Sequence, residues 1–364
     1  MSTLTERSGI RFDNPSDQTA PAPAEVRGSA RDDVRMLVTR PDGLTDRRFR
    51  DLADELEPGD LVVVNNSATV NAEIDAWRGR TPIVVHAASR LDDDSWVVEL
   101  RTSPDAAAPV LDGRVGETIG VGELPLTLLS AYPHEGSAPS GRGNRLWRAR
   151  VEGDLRRLLD RHGRPVAYGY LDGRYPLAAY QSVFSTVPGS AEMASAGRPF
   201  TDALISRLVS RGIAVAPITL HTGVSSQEAG EGPQPEWFHV PAATARLVES
   251  TRASGGRVVA TGTTVTRALE SAVHGGRVRE DWGWTERVVT PEHPPVAVDG
   301  LITGWHDAQA SHLLLVEAIA GTELTQAAYD AALAGGYRWH EFGDSALFLP
   351  RRVRAREDAD TREG

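Results

Sequence analysis

The 364-residue sequence contains no cysteine and no lysine. The absence of cysteine excludes disulfide bonds, thiolate metal ligands and a catalytic thiol. The 39 basic residues are all arginine and face 50 acidic residues, so the formal net charge is −11. This shortage of positive charge counts against broad, nonspecific binding of nucleic acid, although a local arginine patch would still allow specific contacts.

Long apolar runs are also missing. No stretch approaches the roughly 20 residues that a membrane-spanning helix needs, and the first residues lack the apolar segment of a secretory signal. We therefore expect a cytoplasmic protein with no membrane partner. With 40% hydrophobic and 24% charged residues, the composition is that of a globular protein, and the length favours two domains.

The order of apolar runs and turn residues predicts an α/β fold with a β-rich insertion. Short β-rich runs divided by turns fill residues 67–151, which predicts a small antiparallel β-barrel. On both sides, at 1–66 and 152–350, strand and helix patterns alternate, which predicts one discontinuous α/β core domain with a mostly parallel sheet. Residues 351–364 have the composition of a charged tail.

Three predicted strands of the core domain end in residues that could do chemistry. They are His221 after Ile213–Leu220, Gly262–Thr264 after Arg257–Thr261, and His306 after Val296–Thr303. Ligands of open α/β sheets bind at the carboxyl ends of the strands. A helix that begins after Gly262 would attract an anion, and histidine exchanges protons near neutral pH. Taken singly, each histidine also suits a structural role.

Two further features have more than one interpretation. Arg267 and Glu270 lie three residues apart on the helix after Gly262, so they form an ordinary helical ion pair or Arg267 binds a substrate carboxylate. The stretch from Thr222 to Val240 is long for a loop and is an active-site lid or a surface excursion. The spacing of the histidines fits no metal-binding motif, so we expect no metal.

Several segments resemble one known family. They are VVATGTTVTRALESA at 258–272, ITLHTG at 218–223, ELEPGDLVVVNN at 55–66, SAGRPF at 195–200, the stretch from LITGWH to LLLVEAIAG at 301–321, and GGYRWHEFGDSALFL at 335–349. In this order they resemble the S-adenosylmethionine:tRNA ribosyltransferase-isomerases of queuosine biosynthesis. The resemblance extends from about Arg11 to Pro350, and the TGTT segment with the Arg and Glu-Ser that follow it is the most specific part.

The resemblance implies an α/β domain with an inserted β-barrel and S-adenosylmethionine as a co-substrate that donates its ribosyl group. In the implied reaction a base deprotonates the carbon beside the sulfonium, and the carbanion attacks 7-aminomethyl-7-deazaguanine in tRNA. The ribose then rearranges to an epoxycyclopentane, and adenine and methionine leave. No metal or redox cofactor is implied.

The resemblance also nominates site residues, each on a position that matches the family pattern. The candidates for proton transfer are His221 and His306. The candidates for substrate binding are Ser195, Gly197, Gly223, Glu236, Gly262, Thr263, Thr264, Arg267 and Glu270.

The sequence departs from the family pattern at four places. Arg198-Pro199 removes a histidine, and Gly232–Pro235 lacks the histidine expected before Glu236. Asn65–Ala68 replaces Asn-Asp-Thr-Arg, and Asp307–Ala310 replaces Leu-Pro-Lys-Ser, which puts Gln309 where the family has lysine. These changes remove donors that phosphate, carboxylate or base recognition would use.

Three hypotheses about function follow. The first is ribosyl transfer and isomerisation onto tRNA, and the second is use of S-adenosylmethionine or a related nucleoside with a small acceptor, or its cleavage. The third is a nucleoside-binding protein without catalysis. A surface patch of arginines would favour tRNA as the partner, and its candidates are Arg47, Arg48, Arg50, Arg142, Arg145, Arg148 and Arg150.

Overall fold

The computed structural model describes residues 7–15, 17–136, 141–224, 231–308 and 310–351. Its strands, in chain order, are β1 Arg35–Arg40, β2 Gly43–Arg48, β3 Leu61–Asn65, β4 Ser67–Thr69, β5 Glu73–Arg78, β6 Thr81–Arg90, β7 Trp96–Thr102, β8 Thr118–Val121, β9 Leu124–Ala131, β10 Leu146–Val151, β11 Val187–Ser190, β12 Ala214–Leu220, β13 Glu236–Val240, β14 Val258–Thr261, β15 Val273–His274, β16 Arg277–Val278, β17 Asp281–Thr285, β18 Gly300–Gly304 and β19 Ser345–Phe348. The α-helices are α1 Leu52–Glu55, α2 Leu155–His162, α3 Asp202–Ser210, α4 Ala242–Ala253, α5 Thr263–Ser271, α6 His312–Ala320 and α7 Thr322–Ala334. Short 3₁₀ helices lie at Arg31–Asp33, Phe49–Asp51, Leu177–Tyr180 and Ser195–Gly197.

The core domain is built on a nine-stranded sheet with the order β17-β13-β12-β3-β14-β18-β19-β1-β2. The four central strands β12, β3, β14 and β18 are mutually parallel, as the strand and helix alternation predicts. Antiparallel pairs extend the sheet on both sides, at β13, β17, β19 and β2. The α/β prediction is therefore confirmed, with a mixed sheet in place of a mostly parallel one.

Both faces of the sheet are covered, which explains why its central strands read as continuous apolar runs. In β3, Leu61 and Val63 pack on one face with residues of α4 to α7. Val62 and Val64 pack on the opposite face with residues of α1 and α3. All four side chains are buried, since successive side chains of a strand point to opposite faces.

Local signals set several element ends. The Thr201 hydroxyl accepts a hydrogen bond from the Leu204 amide at 3.2 Å and caps α3. Pro241 is the residue immediately before α4. The strand predicted from Val296 begins only at Gly300, because the amides of Val296 and Ala297 donate to the Glu270 side chain instead of to a neighbouring strand.

The insertion is a closed antiparallel barrel with the strand order β10-β7-β6-β5-β8-β9, so the predicted barrel is confirmed. Its strands lie between Glu73 and Val151, and the leucines of α2 pack into its apolar interior. The strand β4 pairs instead with β11, which leads the chain back into the core domain. The boundaries at 66/67 and 151/152 stay a prediction, and the proposed tail lies, apart from Arg351, outside the described residues.

Within the described ranges, every helix is too short or too polar to cross a membrane.

Candidate active site

The predicted strand ends meet at one edge of the core sheet. Because β12, β3, β14 and β18 are parallel neighbours, their carboxyl ends lie side by side. His221 follows β12, Gly262 follows β14, and His306 lies two residues beyond β18. The sheet therefore brings together the three features that the sequence places at strand ends, and it adds Asn65 from the end of β3.

His221 is held by the short β4–β11 ribbon. Its Nδ1 lies 2.7 Å from the Ser67 hydroxyl, which lies 2.6 Å from the Ser190 hydroxyl. The imidazole stacks on Trp237, with ring centroids 5.3 Å apart. Burial lowers the pKa of His221, so the ring is neutral at physiological pH and able to accept a proton.

Asn65 and Asn66, in the segment that departs from the family pattern after Asn65, form an internal network. Asn65 pairs with the backbone of Leu220 through both ends of its amide, at 2.8 and 3.0 Å. The Asn66 side chain accepts a hydrogen bond from the Thr219 hydroxyl at 2.6 Å. These bonds fix the end of β12 against β3, immediately before His221.

Arg267 and Glu236 form a nearly buried ion pair in the site. Arg267 donates to Oε2 of Glu236, and the second carboxylate oxygen accepts the Gly223 amide at 3.0 Å. Arg267 also donates to the Gln234 carbonyl at 2.7 Å. Burial raises the pKa of Glu236 despite the neighbouring Arg267 charge. The arrangement ties α5 to the segment that enters β13.

Glu270 does not pair with Arg267, so the first of the two interpretations, an ordinary helical ion pair, is wrong. Its carboxylate accepts the backbone amides of Val296 and Ala297 at 2.9 and 2.8 Å. The side chain is 5% exposed, and burial raises its pKa despite these hydrogen bonds. Glu270 therefore holds the chain before β18, and its predicted contact with substrate stays untested.

The turn after β14 packs closely against the Ser195–Gly197 turn. Gly262 has a φ of +94°, and a Cβ there would lie 3.3 Å from the Ala196 methyl group. The positive φ therefore favours glycine, and the space for a Cβ is also tight. Thr263 and Thr264 begin α5, whose first amides have no partner within the helix and whose positive end faces the carboxyl edge of the sheet.

His306 lies in a group of histidines. Its Nε2 is 3.0 Å from the Thr303 hydroxyl, and its ring stacks on His312 at 4.7 Å with an interplanar angle of 9°. Burial and the nearby His312 and His340 lower the pKa of His306 well below its ordinary value. Burial, followed by the charge of Arg267, lowers the pKa of His312 to about 4. Both rings are therefore neutral bases.

Two tyrosine–glutamate pairs beside the histidines were missed by the sequence analysis. Tyr168 donates to Glu192, and Tyr170 donates to Glu341 while stacking on His340 at 4.4 Å. Burial raises the pKa of Glu341 to about 7. These residues come from separate loops with no periodic pattern, so no local signal in the sequence could have linked them.

Ser195 lines a narrow cleft together with Gly304 and Glu341. Arg198, one of the departures from the family pattern, is 4% exposed and binds both carboxylate oxygens of Glu25 at 3.2 and 2.9 Å. Arg198 is therefore fixed in a structural ion pair beside the cleft.

The predicted lid is in part a regular strand. Glu236–Val240 forms β13, which pairs with β12 and β17. Residues 225–230, including Glu228, lie outside the described ranges, as does Gln309. Within the described part of the chain, no cluster of three or more His, Asp or Glu side chains has the arrangement of a metal site.

Five of the seven arginines that the sequence nominates for an RNA-facing patch are paired with acids. Arg145 is buried, and Arg148 pairs with Asp93. The arginines between residues 47 and 50 are also paired with acids. The remaining pairs are Arg47 with Glu55, and Arg48 and Arg50 with Asp33.

The fold and the site define an α/β protein with an inserted β-barrel and a histidine-containing site at the carboxyl edge of its sheet. The chain belongs to the queuosine biosynthesis protein family, whose model matches residues 8–348. The resemblance inferred from the sequence segments is confirmed by this match.

Relatives and a solved structure extend over nearly the full length. The S-adenosylmethionine:tRNA ribosyltransferase-isomerase of Symbiobacterium thermophilum is 35% identical over 356 residues, which cover 94% of this chain and 99% of the relative. That of Heliobacterium modesticaldum is 32% identical over 353 residues, covering 93% and 98%. The crystal structure of S-adenosylmethionine tRNA ribosyltransferase from Thermotoga maritima aligns with a TM-score of 0.52 and 27% identity, over 94% of this chain and 100% of that one.

Proposed function

We propose that this protein is an S-adenosylmethionine:tRNA ribosyltransferase-isomerase. It transfers and isomerises the ribosyl group of S-adenosylmethionine onto 7-aminomethyl-7-deazaguanine in tRNA and releases adenine and methionine. The observation that carries the proposal is the full-length match to enzymes of that name, combined with two neutral histidines at the carboxyl edge of the sheet.

The first step requires a base, because the carbon beside the sulfonium must lose a proton before it attacks the acceptor. His221 and His306 supply neutral imidazoles, each with one ring nitrogen near a hydroxyl group that orients it, Ser67 and Thr303 respectively. One of them accepts this proton and, as the imidazolium so formed, donates a proton to the departing adenine. His221 follows β12 and His306 follows β18, with β3 and β14 between them, so both rings lie at the same carboxyl edge of the sheet.

The start of α5 is the proposed binding site for the methionine carboxylate. The Arg267 guanidinium is already used by Glu236 and by the Gln234 carbonyl, so Arg267 holds Glu236 in place rather than acting as a free carboxylate ligand. The positive end of α5 at Thr263 and Thr264 then binds the methionine carboxylate. In this proposal Glu236, which Arg267 and the Gly223 amide hold in place, is the acceptor for the ribose hydroxyls.

The proposed reaction consumes S-adenosylmethionine as a co-substrate and needs no resident metal or redox cofactor, because the sulfonium both acidifies the adjacent carbon and leaves as a thioether. Both S-adenosylmethionine and tRNA are cytoplasmic molecules, which supports a cytoplasmic location.

The test follows adenine and methionine release from S-adenosylmethionine. The protein is incubated with tRNA that carries 7-aminomethyl-7-deazaguanine, with the same tRNA carrying guanine, or without tRNA. We expect stoichiometric release only with the modified tRNA, together with a mass increase of that base. Release without tRNA would instead establish cleavage or a small-molecule acceptor, and binding without release would establish a non-catalytic role.

A further inference from the structure

A buried row of alternating charges begins at His86 on the outer face of the barrel, opposite the apolar interior that Val85 and Ala87 line. Its two ring nitrogens each lie 3.2 Å from a carboxylate, Nε2 from Glu73 and Nδ1 from Glu99, and all three side chains are fully buried. A neutral imidazole has a single N–H, so donation to both carboxylates requires the imidazolium. Burial alone would lower the pKa of His86, but the hydrogen bonds to Glu73 and Glu99 outweigh it and raise the pKa.

Arg145 links this row of charges to the core domain. One of its guanidinium nitrogens donates to Glu99 at 3.0 Å, and the other donates to Glu231 at 2.6 Å. The Arg145 side chain is 2% exposed and that of Glu231 is 6% exposed. Arg145 precedes β10 of the barrel, whereas Glu231 begins the segment 231–235 that leads into β13 of the core sheet. This ion pair therefore joins the two domains.

From Glu231 the hydrogen bonds continue into the candidate active site. The Gln234 amide donates to Glu231 at 3.2 Å, and the Gln234 carbonyl accepts from Arg267 at 2.7 Å. Arg267 in turn donates to Glu236, which also accepts the Gly223 amide. One continuous chain of hydrogen bonds thus connects the outer face of the barrel with the ion pair beside His221.

We propose that Arg145 and Glu231 are positioning residues that fix the Arg267–Glu236 pair for substrate binding. The planar guanidinium places two donors at a fixed spacing, so Arg145 bridges Glu99 and Glu231 at once, which the point charge of a lysine does not do. Glu99 and His86 hold the guanidinium from the barrel side. The effect on turnover rests on the proposed function, whereas the effect on the position of Glu236 does not.

The structural arm of the test uses amide hydrogen exchange without substrate. Protection of the Gly223 amide reports its bond to Glu236, and protection of β13 reports the strand that follows. We expect Glu231→Ala to accelerate exchange at Gly223 about tenfold or more, and Glu231→Gln, which keeps the acceptor oxygen, to restore most of the protection. Unchanged protection of Gly223 in both Glu231→Ala and Arg145→Lys would overturn the proposal.

The functional arm compares steady-state kinetics with melting temperature. We expect Glu231→Ala and Arg145→Lys to raise KM for S-adenosylmethionine about tenfold with a smaller effect on kcat, and Glu231→Gln to recover most of the loss. Arg78→Lys is the matched control, because Arg78 also binds two acids of the barrel, Asp112 and Glu117. An equal loss in that control, or a loss that follows the unfolded fraction alone, would contradict the positioning role. A wild-type protein without turnover would refute the proposed function and leave the exchange result to decide the inference.

Discussion

The two candidate histidines are both neutral, but different neighbouring groups orient their rings. Burial lowers the pKa of both imidazoles, and the neighbours His312 and His340 lower that of His306 further. His221 is oriented by a serine hydroxyl and an indole ring, whereas His306 is oriented by the Thr303 hydroxyl and a stacked histidine. Each ring is therefore ready to accept a proton at neutral pH.

We expect His221→Ala and His306→Ala each to reduce turnover by about a hundredfold or more, because general acid–base catalysis contributes on that order. Turnover is measured by adenine release under saturating S-adenosylmethionine and modified tRNA. The exposed His162→Ala serves as the control and should retain wild-type activity. Activity within a few-fold of wild type in both variants would rule out the assignment.

The buried Glu341 makes the free energy of unfolding depend on pH. Its pKa is raised from 4.5 to about 7 by burial, so its contribution favours folding at low pH and is lost as the pH rises through about 7. Glu341→Gln accepts the same hydrogen bond from Tyr170 without ionising. We expect the free energy of unfolding of Glu341→Gln, measured relative to that of wild type, to increase by about 2 to 3 kcal/mol as the pH rises from 5 to 8.

Urea unfolding at the two pH values measures this difference, and the exposed Glu152→Gln provides the control substitution. A difference between Glu341→Gln and wild type that stays constant with pH would show that Glu341 has an ordinary pKa in the folded protein.

The β4–β11 ribbon is a small element with a direct effect on the site. Its two strands carry Ser67 and Ser190, whose hydroxyls form a hydrogen-bonded pair that reaches His221. Gly189 in β11 lies against the His221 ring, and a Cβ at this position would come within 2.5 Å of ring atoms. The ribbon therefore determines where the imidazole sits.

We expect Gly189→Ala to displace the His221 ring and reduce kcat about tenfold or more. The melting temperature should change by only a few degrees, because the ribbon is a two-stranded connection outside the main sheet. Gly173→Ala is the matched control, since a Cβ at Gly173 meets no atom within 4 Å. Wild-type kcat in Gly189→Ala would show that the ring position is not critical.

The whole molecule carries a net negative charge, and many of its arginines are also paired with neighbouring acids. The arginines nominated as an RNA-facing patch are paired with acids in at least four cases, and Arg145 is buried between two carboxylates. Few cations therefore remain on those surfaces to replace the counterions of a phosphate backbone.

We expect tRNA affinity to depend only weakly on salt. The slope of log K against log salt concentration should lie between 0 and about −3, because each neutralised phosphate contributes roughly −0.7 to −0.9. Fluorescence anisotropy with labelled tRNA between about 50 and 200 mM salt measures the slope. A slope steeper than about −6 would demonstrate an extended cationic surface elsewhere on the protein.

Much of the architecture is predictable because it rests on local periodicity. The apolar runs at β3, β12 and β14 and the threonine cap of α3 are visible in the sequence. The sheet edges are less predictable: β13 lies within a stretch that reads as a loop, and the start of β18 depends on amides taken by Glu270. Such competition between hydrogen-bond partners arises only after distant segments meet.

The sequence by itself determined the α/β core, the inserted barrel, the family, and the placement of His221, Gly262 and His306 at strand ends, since each depends on short stretches of chain. Only the tertiary structure decided which side chains contact one another. It joined Arg267 to Glu236 instead of Glu270, and it gathered the tyrosines and glutamates of separate loops beside the histidines. Hydrogen bonding and burial act between residues that are close in space, whatever their separation along the chain.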